Sequence, residues 1–94
     1  TPEEKAAKQV LQETGHASML HRVRAAYKML TSMQDDWDKF VELGNVARPK
    51  YVRGIGDVKF LESMYLLFDS VQLENVALSK QQFFYISDLY ARSL

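Results

Sequence analysis

Val46-Ala-Arg-Pro-Lys-Tyr-Val-Arg-Gly-Ile-Gly-Asp57 is the one extended stretch of this 94-residue chain without helical periodicity. It contains Pro49, Gly54 and Gly56, which are all of the prolines and glycines beyond Gly44. Proline removes a backbone donor and glycine costs helix entropy, so helices stop on either side of such a run. On both sides apolar residues recur every three or four positions, the period of an amphipathic helix. The segment therefore divides two helical halves, and the loop is placed at 44–56. It also concentrates charge: Arg48, Lys50 and Arg53 lie within it and Lys59 follows.

Upstream, Met19, Leu20, Val23, Ala26, Tyr27, Leu30, Met33, Trp37, Phe40 and Val41 keep one helical phase. The spacing predicts a second helix over 17–43, closed by Gly44-Asn45 as C-cap residues. Its charges run against a single dipole, because Arg22, Arg24 and Lys28 precede Asp35, Asp36, Asp38 and Glu42. A break near Thr31-Ser32, where Ser32 and Asp35 form a capping-box pattern, would place them better. Exposed charge–dipole terms are worth only a few tenths of a kcal/mol each. Burying the whole stripe outweighs them, so one helix is expected. Before it, Thr1-Pro2-Glu3-Glu4 carries an N-cap hydroxyl, a first-turn proline and a capping-box glutamate. These start a first helix over 2–14 that Gly15 ends.

Downstream, Asp57 is expected to cap a third helix over 57–73. Its apolar residues, Val58, Phe60, Leu61, Met64, Tyr65, Leu67, Phe68 and Val71, cover about half the circumference and suit a central helix. Ser79 and Gln82 form a capping box, with Leu78 placed to staple onto Phe83, at the start of a fourth helix over 80–92. Residues 78–92 resemble the C-terminal hairpins of small phage- and plasmid-encoded accessory proteins, a likeness carried by that capping box and an apolar stripe. The expected fold is all-α: a small four-helix bundle in one domain, five helices if the second breaks, with the third and fourth antiparallel at its centre.

The composition, 47% hydrophobic and 26% charged with formal net charge zero, is that of a globular chain. A dedicated nucleic-acid binder is usually basic overall, so that role would rest on a local patch. No apolar run reaches the ~18 residues that span a bilayer, and Thr1-Pro-Glu-Glu is not a secretory signal. With no cysteine in the chain, a cytoplasmic protein without a membrane partner is expected.

Catalysis finds little material. His16 and His21 stand five apart and miss the i,i+4 face that ligates metal. Asp35, Asp36 and Asp38 are explained by capping and solvation. There is no nucleophile–base pair and no phosphate loop. The expectation is a non-enzymatic protein with no metal, no cofactor and no small-molecule substrate.

Two binding surfaces remain. Leu66, Phe84 and Tyr85 fall outside the apolar stripes of their helices, Tyr51 is a further surplus aromatic in the loop, and exposed clusters of such residues usually have a protein partner. Leu66, Phe84 and Tyr85 would dock a protein, or a second copy, on the third and fourth helices. The alternative lies in the opening stretch. Gly54-Ile55-Gly56 is similar to the turn of a helix-hairpin-helix motif, whose free N–H groups at a helix start hold a DNA phosphate. That resemblance implies phosphate-backbone binding by Arg48, Lys50, Arg53, Gly54, Gly56 and Lys59. The chain departs from the motif at Arg53, Asp57 and Phe60, and in having only Arg48–Val52 before the turn. Arg22, Arg24 and Lys28 would extend the basic surface if the second helix lay beside this segment.

Overall fold

The computed structural model describes residues 1–6 and 18–94, and these are helical, with turns and no strand among the described residues. Residues 2–6 are helical (α1). The helices that follow are α2 (Met19–Leu43), α3 (Ile55–Ser70) and α4 (Lys80–Ser93). Short 3-10 turns at Gly44–Ala47 and Leu73–Asn75 join them. The predicted remainder of the first helix, the Gly15 cap and His16 lie outside the described residues.

α2 is a single helix of 25 residues, about 37 Å long at ~1.5 Å per residue. Ser18 caps it by accepting from the His21 N–H at 3.3 Å. Thr31-Ser32 does not break it. The Ser32 hydroxyl donates to the Met29 carbonyl at 2.7 Å, bonding back into its own helix instead of starting another. Val23, Ala26, Met29, Leu30, Met33 and Trp37 are buried along one side. α4 begins with the predicted capping box, both of its reciprocal bonds being present. Leu78 and Phe83 are both fully buried, as a hydrophobic staple requires.

Cross-contacts give the directions. The Arg22 guanidinium donates to the Leu78 carbonyl, and the Leu78 N–H faces the Met19 sulfur, so α2 and α4 start together. At the other end Arg92 donates to the Tyr51 carbonyl, and the Tyr51 hydroxyl donates to Asp36. The two helices therefore run the same way. α3 runs opposite: Trp37 stacks on Tyr65 with centroids 5.5 Å apart, and Tyr27 meets Phe68 further back along α2 at 6.1 Å. The Tyr65 hydroxyl also donates to the Leu30 carbonyl at 2.6 Å.

The close backbone approach is between α2 and α4, not between α3 and α4. This corrects the expectation of a central third helix. Of its wide apolar surface only Leu61 and Met64 are buried outright, while Val58, Phe60, Tyr65, Leu67 and Phe68 are partly covered. Bulky aromatic rings hold α3 at a distance from its neighbours. α2 and α4 contribute most of the buried core instead, including Val23, Leu30, Met33, Phe83, Ile86 and Leu89. Each such side chain, fully buried, contributes roughly 1.5–3 kcal/mol.

Candidate functional site

The protein-docking residues fare differently from one another. Leu66 is 67% exposed and Phe84 is 41% exposed, whereas Leu61, Met64, Phe83 and Ile86 of the same two helices are buried. Tyr85 is half-buried and works inside the molecule. Its ring stacks flat on Phe60, centroids 4.0 Å apart and planes 5° from parallel, and its hydroxyl donates to Asp57. Tyr51, taken from sequence as a surplus apolar residue, is buried.

The basic stretch is exposed at Arg48, Lys50, Arg53 and Lys59. Arg53 reaches Glu3 at 3.1 Å and so ties α1 to this corner. Arg48 and Lys50 border an open cleft of ≈ 480 Å³ with Asp36, Lys39 and Tyr51. The second basic cluster does not join them. Arg24 and Lys28 lie on the first half of α2, whereas the stretch packs beside Asp36 and the end of α4. Arg22 is turned inward to the Leu78 carbonyl.

The glycine corner forms the start of α3 itself. Gly54 is extended and forms the N-cap, Gly56 lies within the first turn of α3, and neither has positive φ. Asp57 is therefore a first-turn residue, not the cap, and its carboxylate accepts the Arg53 N–H at 2.9 Å. A methyl group placed at Gly56 meets nothing within 4 Å. Gly56→Ala should thus raise the unfolding free energy by about 0.5–1 kcal/mol, measurable by urea denaturation. A loss of stability would show that the glycine is structurally required.

What sequence reading missed is the charge cluster behind the corner. The Arg92 guanidinium, 8% exposed, donates to Asp57 at 3.1 Å, to Asp88 at 2.9 Å and to the Tyr51 carbonyl at 2.8 Å. The i,i+4 spacing of Asp88 and Arg92 signals the first half of this network. Nothing in the order of residues signals the long-range half to Asp57. Burial raises the Asp57 carboxyl, but the Tyr85 hydroxyl, the Arg53 N–H and the Arg92 guanidinium together outweigh it and hold the group below its ordinary value. Burial, then the bond to Asp57, pushes Tyr85 up to about 12.

The pH dependence has a definite sign. With its folded-state pKa depressed, ionised Asp57 stabilises the fold above its unfolded pKa. That contribution disappears as pH falls through the folded value, so stability declines on the acid side. Asp57→Asn should flatten that decline in pH-dependent denaturation, and an unchanged acid limb would contradict it. On the alkaline side, neutral Tyr85 supports the fold up to pH 10.0 and the support is lost as pH approaches about 12.

Among the described residues no group of three or more His, Cys, Asp or Glu side chains could hold a metal ion, and no helix is long and apolar enough to cross a membrane. No family model, curated protein or solved structure matches the chain.

Proposed function

We propose that the chain is a non-enzymatic helical interaction module that docks a protein partner on α3 and α4. The observation that carries this reading is the exposure of Leu66 and Phe84 on the two helices whose Leu61, Met64, Phe83 and Ile86 are buried. Large apolar side chains left this exposed mark binding surfaces, and aromatic anchors of this kind dominate binding energy when a partner covers them. Tyr85 joins α4 to α3 through Phe60 and Asp57.

The test is site-specific photo-crosslinking at positions 66 and 84, together with the Leu66→Asp and Phe84→Asp variants. A discrete adduct, lost on either substitution while helicity is retained, is the expected result. Crosslinking no stronger than at an exposed control such as Lys5 on α1 would overturn the reading.

A second reading, binding of a nucleic-acid backbone, draws support from Arg48 and Lys50, exposed on the cleft beside Lys39. Such binding weakens steeply with salt and would be lost on neutralising Arg48, Lys50 and Arg53. Salt-insensitive binding to a duplex would remove it.

A further inference from the structure

The outward face of α2 has a charge order that no ion pair among the described residues uses. Counting along the helix in alternating steps of three and four gives His21, Arg24, Lys28, Thr31, Asp35, Asp38 and Glu42. All seven are exposed, and they lie opposite the buried positions Val23, Ala26, Leu30, Met33 and Trp37. Three basic residues therefore precede a central threonine, and three acidic residues follow it. Steps of three and four keep the seven on one stripe, the spacing by which helices meet side by side. None of the seven takes part in an ion pair among the described residues.

A stripe of this order is its own complement when reversed. If a second α2 lies antiparallel with the two-fold axis at Thr31, Lys28 faces Asp35, Arg24 faces Asp38, and His21 faces Glu42, each contact occurring twice. That is the self-complementary pattern an isologous dimer requires. A parallel arrangement would set like charges against like. Thr31 is small enough for the helices to approach at their crossing.

Apolar surface is available at the basic end of the same face. A groove of ≈ 600 Å³ on the basic half is lined by His21, Arg24, Ala25, Tyr27, Lys28 and Leu73. Isolated exposed ion pairs contribute little. The contact therefore depends on the charges to set register and on these apolar groups to add burial. We infer that the chain forms a salt-sensitive antiparallel homodimer through α2, separate from the Leu66–Phe84 surface.

Sedimentation equilibrium at low salt tests this with a charge exchange. The wild-type chain should dimerise and dissociate as salt is added. Arg24→Glu with Lys28→Glu, and separately Asp35→Lys with Asp38→Lys, should each be a folded monomer by circular dichroism. Mixed in equal amounts, the two variants should form a heterodimer, because each cation again meets an anion on both sides of the axis. A chain carrying all four substitutions should regain the homodimer, which guards against loss of folding in either parent.

A monomeric wild-type chain at low salt overturns the proposal. So does dimerisation of either parent variant at wild-type strength, or a mixture that stays monomeric. Leu66→Asp and Phe84→Asp should leave the dimer intact, so failure of the α3/α4 reading and failure of this one give different results.

Discussion

Arg92→Met is expected to lower the unfolding free energy by about 3–5 kcal/mol, the cost of leaving a buried ion pair with one partner. Among the described residues the guanidinium is the only cation contacting Asp57, whose side chain is 13% exposed, and it also satisfies the Tyr51 carbonyl. Removing it strands a carboxylate and a backbone acceptor at once. Native domains have only about 5–15 kcal/mol in total, so the variant should melt far earlier in urea. Arg92→Lys should recover little, because a single ammonium cannot reproduce a fork that donates to Asp57, Asp88 and the Tyr51 carbonyl. A lysine variant as stable as wild type would show that charge alone, without geometry, suffices.

The second large effect separates two adjacent phenylalanines. Phe83→Ala is expected to cost about 3–5 kcal/mol, since a fully buried aromatic leaves both lost transfer energy and a cavity. Phe84→Ala should cost under about 1 kcal/mol, in the range of surface substitutions. The two side chains are 0% and 41% exposed respectively. Equilibrium denaturation of both variants provides the comparison. If Phe84→Ala were as damaging as Phe83→Ala, Phe84 would belong to the core and the docking surface would lose its anchor.

Local signals in the sequence carried much of the fold. The Ser79–Gln82 capping box, the unbroken stripe from Val23 to Trp37 and the breakers around Pro49 each act over a few residues, and each is realised. Asp57 was misplaced because aspartate suits both the N-cap and the first turn, and a free choice between them depends on where the Arg53 N–H points. The rank of α3 was misjudged because apolar width does not reveal distance. Aromatic rings reach across a gap that Leu or Ala would have to close, so Phe60, Tyr65 and Phe68 look like deep core from sequence while lying only part-buried. Of the candidate surfaces, Leu66 and Phe84 were legible as surplus to their stripes. The internal use of Tyr85 was not, because its partners Phe60 and Asp57 sit on another helix.

The same-direction pairing of α2 and α4 has a consequence for how the chain reaches its native state. Neighbouring helices in a simple hairpin find each other across a short turn, but here the contacts that start the pair join Met19 to Leu78, 59 positions apart. α3 must be traversed before that contact can form. The entropy of closing so long a loop is lost before any of the α2–α4 burial is gained, and rates fall as native contacts become less local. This small helical protein should therefore fold more slowly than its helix content suggests, with Leu78 and Met19 meeting at the limiting step.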